Sequence, residues 1–153
     1  MKLIKNILLA AVIISLVSCK SKNALAFNDK LVGIQHELLD KVNKMQGDTT
    51  SDAAAKLKGV QDLARLKLTE IKAMATPDGG EGFKEAMQKD ISGIIDTYDV
   101  LLKIVEAKED EAKIAPLKEE LTKWQGKLEK LDNEVQEEQR KFAKANNIML
   151  KPQ

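Results

Sequence analysis

With 153 residues, 25 of them Lys or Arg and 24 Asp or Glu, the chain has the length of one domain and too even a charge to attract nucleic acid or an anionic surface by its overall field. One cysteine and one histidine exclude a disulfide framework, covalent haem and a zinc site built on paired imidazoles or thiolates. Aromatic residues make up only 3% of the chain and charged residues 32%, with Ala, Leu, Lys and Glu prominent, a balance that favours helices held by aliphatic packing.

The chain opens on Met1 to Cys19. Lys2 and Lys5 give a cationic start, Ile7 to Ile14 form an unbroken apolar run, and Leu16-Val17-Ser18-Cys19 closes it, in the order of a secretory signal peptide. The run falls short of the roughly 20 apolar residues that a spanning helix needs. The only cysteine stands at its end, behind small Ser18. This arrangement resembles the lipobox of bacterial lipoproteins. The resemblance implies that residues 1–18 are cleaved off, and that Cys19 carries diacylglycerol on its sulfur and a palmitate-like chain on its freed amine. Two or three such chains hold a protein firmly at a bilayer, whereas one holds it only marginally. Loss of Lys2 and Lys5 leaves 23 basic residues against 24 acidic ones. Residues 19–23 are then expected to be the lipidated cysteine and a short tether, 24–147 a helical domain, and 148–153 a tail.

The first helix is expected from Ala24 to about Met45, where Phe27, Leu31, Ile34, Leu38, Val42 and Met45 recur at steps of three and four. Gly47 is a plausible C-terminal cap, and Thr50 or Ser51 a plausible start for the next helix. The second spans about Asp52 to Ala75, with Leu57, Val60, Ala64, Ile71 and Met74 on one stripe and Leu63, Leu66 and Leu68 widening it. Thr76-Pro77-Asp78-Gly79-Gly80 then breaks the chain. The third runs from Gly82 to about Ala107 through Phe83, Met87, Ile91, Ile94, Tyr98, Leu101 and Val105, and the charged stretch after it either continues the helix or loosens into a loop. Pro116 is expected to open the fourth helix, which reaches Ala145 through Leu117, Leu121, Trp124, Leu128, Leu131, Val135 and Phe142.

Four amphipathic segments joined by short connections bury their stripes most simply as an all-α, antiparallel up-down-up-down four-helix bundle. The first and last helices would then meet near the membrane, with the Gly47 turn pointing away; the regular last helix leaves a coiled-coil assembly as the rival. Two charges interrupt the stripes, Lys67 in the second and Glu138 in the fourth. A buried charge needs a partner, so these two are expected to form an ion pair across the core. Gly33, Gly59, Gly93 and Gly126 fall inside helices and mostly beside the stripes, where tolerated surface weakness is the default.

No reactive constellation emerges. His36-Glu37-Leu38-Leu39-Asp40 shares the opening of a zinc-protease helix but has Asp40 where the second histidine belongs, so His36 is expected to be solvated beside the stripe. Pro77 to Gly82 lacks the Lys-Ser/Thr of a phosphate loop. Paired Glu-x-x-His motifs and a nucleophile turn are missing too. No catalytic residue, cofactor or metal ligand is assigned, and the chain is expected not to be an enzyme.

Ala24-Leu25-Ala26-Phe27-Asn28-Asp29-Lys30-Leu31-Val32 shortly after the cysteine, with Gln35 following and Gln139-Arg140-Lys141-Phe142-Ala143-Lys144-Ala145-Asn146-Asn147 closing the last helix, resembles small bacterial surface lipoproteins of unknown function. The resemblance implies location and fold, and Cys19 is the only functional residue carried over. The expected role is that of a lipid-anchored cell-envelope protein, structural or protein-binding, with no nucleic-acid partner. Lys20 is not the Asp that retains lipoproteins at the inner membrane, which points to the outer one. The alternative is a bundle holding a small apolar ligand or a metal between its helices, lined by Met45, Met74, Met87, Tyr98 and Trp124.

Overall fold

The computed structural model describes residues 2–47, 52–108 and 110–150, with side chains placed for residues 22–45 of the first helix and for the segments after it. Among them are four helices and no strand: α1 (Lys2–Gly47), α2 (Ala53–Ala73), α3 (Glu81–Glu106) and α4 (Glu111–Ala145). The all-α, four-helix fold is therefore as the stripes predict. No helix among the described residues is long and apolar enough to cross a membrane. The side chains of Met1 to Cys19 lie outside the described set.

The ends of the elements follow local chemistry. Helix α1 runs unbroken through Lys20–Asn23, so its backbone does not begin at Ala24 and no extended tether follows Cys19. Asp52 caps α2 by accepting a hydrogen bond from the Ala54 N–H, whereas Thr50 and Ser51 lie outside the described residues. At the other end of α2, Lys84 reaches over from α3 and donates to the carbonyls of Lys72 and Met74, which the helix itself leaves unpaired. The reversal that follows closes on the Gly80 N–H donating to the Pro77 carbonyl at 2.9 Å, and Gly79 takes φ +75°, a left-handed conformation that glycine adopts without strain.

The fourth helix begins five residues before Pro116. Asp110 caps it by accepting from the Lys113 N–H, and Ala107 with left-handed Lys108 ends α3, so the charged stretch is a break between two helices. Pro116 sits in the second turn, exposed, where water reaches the carbonyl that its missing N–H leaves free. At its far end α4 closes with left-handed Asn147: Ile148 N–H donates to the Ala143 carbonyl and Asn147 N–H to that of Lys144. This cap folds the chain back and packs Ile148 on the core, so the tail is part of the domain at least as far as that residue.

Packing is centred on α3. Its buried residues run from Phe83, Met87, Ile91 and Tyr98 round to Ala86, Gly93, Thr97 and Val100, more than half of the helix circumference, as a helix covered on more than one side requires. Partners change in opposing order along neighbours. Lys30 of α1 pairs with Glu70 of α2, while Glu37, further along α1, pairs with Lys67, earlier in α2. Likewise Lys89 of α3 pairs with Glu134 of α4, and Gly93, further along, lies against Leu131 and Leu128. Gly93 is thus a close-contact position, buried between two helices rather than a surface weakness. Leu66, expected to widen the α2 stripe, is 61% exposed.

Candidate functional site

One end of the domain is sealed by three aromatic rings. Phe27 of α1, Phe83 of α3 and Phe142 of α4 stand 5.4 to 6.2 Å apart by ring centroids, with Phe27 edge-on to both others. One turn along, Gln139 Nε2 donates to Asn28 Oδ1 at 3.0 Å, a buried amide pair tying α4 to α1. Both amides are buried, so this bond fixes the register of two helices far apart in sequence.

Beyond this level no hydrogen bond, ion pair or ring contact joins α1 to α4 among the described residues. The space between them is a groove of about 1530 Å³, open along one side. Val32, Leu39 and Val42 form one wall, Leu128 and Val135 the other, and Ile91, Ile94 and Tyr98 of α3 the floor. Among the described residues, three of the four large apolar side chains that stand exposed border it: Leu25 at 46%, Leu39 at 57% and Met149 at 96%. Single exposed leucines are ordinary, but their concentration around one concave surface is not.

The floor also holds a carboxylate. Asp90 is 8% exposed and makes neither a hydrogen bond nor an ion pair with the described residues, so the exposure it keeps includes its carboxylate oxygens, which reach the groove. Burial, with Asp132 of α4 adding repulsion, pushes its carboxyl up to about 6. Burial also raises the Tyr98 hydroxyl. Asp29, Glu129 and Asp132 line the same groove, against Arg140 as its one basic side chain apart from His36 among the described residues. None of these four carboxylates has an ion-pair partner among the described residues.

The sequence pairing of Lys67 with Glu138 is not what forms. Lys67 instead binds Glu37 across the α1–α2 seam and Glu70 one turn on, and Glu70 in turn binds Lys30 at 3.1 Å. The hydrogen bond that it donates to Glu37 raises the Lys67 ammonium above its ordinary range, and those donated by Lys30 and then Lys67 lower the Glu70 carboxyl. Glu138 binds Lys141 at 2.8 Å on its own helix. The reason is register: α4 turns Gln139, not Glu138, inward between Val135 and Phe142, and Lys67 faces α1, the nearer source of carboxylates. A second polar clamp went unforeseen, in which Gln61 Nε2 donates to the Ile95 carbonyl and to Asp99 across the α2–α3 seam.

His36 is exposed and borders the groove, and Cys19 lies outside the residues whose side chains are described. Of Met45, Met74, Met87, Tyr98 and Trp124, only Tyr98 lines the groove; Met87 is fully buried core and Trp124 lies under the Lys127 ammonium, 3.9 Å from its ring centre. No three His, Cys, Asp or Glu among the described residues could together hold a metal ion. Asp90, Asn28 and Gln139 were missed as site residues. The signal existed, because Asp90 stands three residues from Met87 and four before Ile94, a polar residue in step with the stripe. Comparisons of the chain with family models, with curated proteins and with solved structures return no match.

Proposed function

We propose that this chain is a lipid-anchored bacterial envelope protein, tethered through Cys19, whose helical domain binds a segment of another protein in the groove between α1 and α4. The observation that carries the binding reading is the groove itself: an elongated, half-open apolar surface of about 1530 Å³ flanked by exposed Leu25, Leu39 and Met149. Its volume exceeds the roughly 300–1,000 Å³ of sites that enclose small ligands. The alternative of a small apolar ligand or metal held between helices has less support, because the space is open and lacks converging metal donors among the described residues.

The anchor reading rests on the order of charges, apolar run and Cys19 in the sequence. The opposing order of the helix pairs supports the up-down-up-down arrangement. With α1 helical from the anchor onwards, Asn28 lies about 14 Å along the axis from Cys19 at 1.5 Å per residue. The aromatic level then lies nearest the bilayer, and the groove runs from Leu25 and Met149 at that end to Val42, away from it. The outer membrane is the favoured location, on the strength of Lys20.

Two measurements test this. Metabolic labelling with an alkyne fatty acid should mark the wild type and leave Cys19→Ala unlabelled, of precursor length and free of the normal membrane fraction; a labelled or normally processed variant removes the anchor. A photo-crosslinking residue at Ile94 in intact cells should give a discrete, reproducible adduct that the same residue at exposed Glu119 does not. Identical adduct patterns from both positions would end the groove reading.

A further inference from the structure

The groove has one component that apolar docking alone leaves unexplained. Asp90 is nine-tenths buried in its floor and has no partner among the described residues, and ionisation there is costly unless an opposite charge arrives. We infer that the occupant of the α1–α4 groove is an amphipathic helix of a partner protein that presents a Lys or Arg from its apolar face to Asp90 and Asp132. This rests on the reading that the groove is a protein-binding site.

Three features identify the occupant. The walls are helices whose backbone groups are satisfied internally, so an extended strand would find no ladder to join, whereas a helix satisfies its own backbone. From Leu128 to Arg140, α4 offers about 18 Å of wall, room for three turns of helix. The charge is also one-sided: Asp29, Asp90, Glu129 and Asp132 face the space against Arg140, with His36 at the margin. An apolar helix without a cation would bury Asp90 further and leave it unmatched. An acidic helix would add repulsion to the carboxylates already present. A cationic one gives Asp90 the counter-charge it lacks and draws the others into the rim, where they steer association.

The test uses the full-length protein in phosphatidylcholine nanodiscs, with binding to empty discs subtracted. The probes are three fluorescent 16-residue amphipathic helical peptides, built on leucine with lysine, glutamine or glutamate as the polar residue. The lysine peptide should bind at least tenfold more tightly than the glutamine peptide, and the glutamate peptide should bind least. Asp90→Asn should remove most of the lysine preference. Asp132→Asn, at an exposed position that folding does not depend on, should reduce it severalfold, and Glu119→Gln, an exposed carboxylate elsewhere on α4, should not change it. Val32→Trp and Ile94→Trp fill the groove and should weaken all three peptides, with thermal melts by circular dichroism showing that each variant is folded.

Equal binding of lysine and glutamine peptides, or a lysine preference untouched by both aspartate variants, overturns the cation while the groove reading stands, provided that the tryptophan variants still block. Binding indifferent to the tryptophan variants overturns both. A fluorescent fatty acid that occupies the groove and resists displacement by the lysine peptide would make the occupant an acyl chain. Sedimentation showing a dimer that Ile94→Trp dissociates would make it a second copy. Either result overturns the inference.

Discussion

The two ends of the α1–α4 seam are built from similar residues and behave differently. At one end Phe27, Phe83 and Phe142 interlock and the Asn28–Gln139 amides pair, so three helices are in direct contact there. At the other, Leu39, Val42 and Leu128 are just as apolar but face a gap. Hydrophobicity alone does not close a seam. Closure at the first end needs side chains large enough to span three helices and a polar pair that sets the register. The second end has branched aliphatics too short to meet, and a carboxylate in the floor that makes closure costly.

Removing one ring breaks the difference most directly. Phe142 is 1% exposed and touches both other rings, so Phe142→Ala should cost about 3–5 kcal/mol in urea denaturation, the range for truncating a buried aromatic. Leu39→Ala, on the open side and more than half exposed, should cost no more than about 0.5 kcal/mol. Comparable losses at the two positions would mean that the groove is closed in solution.

The next largest effect belongs to Asp90. Its folded carboxyl titrates at about 6 against an ordinary 3.8, so the folded chain holds its proton more tightly than the unfolded chain does. The stability this represents is complete below about pH 4 and is lost as pH climbs through 6, amounting to about 2–3 kcal/mol at 1.36 kcal/mol per unit. Asp90→Asn should therefore match the wild type near pH 4 and exceed it by that margin at pH 7.5. Glu70, held low by Lys30 and Lys67, acts in the opposite sense and below its ordinary 4.5, so it cancels when variant and wild type are compared at each pH. A constant difference between the two across this range would show that Asp90 is paired or solvated.

Much of the fold was legible because the stripes obey a 3.6-residue period: Leu31, Ile34, Leu38, Val60, Ala64, Ile71, Phe83, Met87 and Ile91 were all assigned inward and are buried. What misled was the choice between adjacent positions. Glu138 and Gln139 each fit a step of three or four from Val135, and charge drew attention to the first although the second faces α1. Periodicity also treats each helix as though it had one covered face. Helix α3 has several, so Gly93 and Thr97 are buried off the expected stripe, while Asp90, in step with it, was passed over because it is polar. The groove is a property of the gap between α1 and α4, and no single segment encodes it.

Substituting glycines on the tight side and on the open surface sharpens the contrast between packed and unpacked seams. A Cβ on Gly93 would come within 2.9 Å of Leu131 Cδ1 and 3.0 Å of Leu128 Cδ2, ends of side chains that can shift for a methyl but not for a branched group. Gly93→Leu should thus overpack the α3–α4 seam and cost about 1–3 kcal/mol.

Gly126 lies on α4, exposed, with nothing within 4 Å of where its Cβ would be. Glycine there costs the helix backbone entropy and covers no neighbour, so Gly126→Ala should add about 0.5–1 kcal/mol to the stability read from urea denaturation. It should do so without altering peptide binding, because the position is outside the groove. A loss instead of a gain would mean that something covers this face of α4 in solution. An assembly of α4 with a second chain, the coiled-coil alternative that its regular leucine spacing allows, would give that result, and Gly126 would then join Gly93 as a contact position.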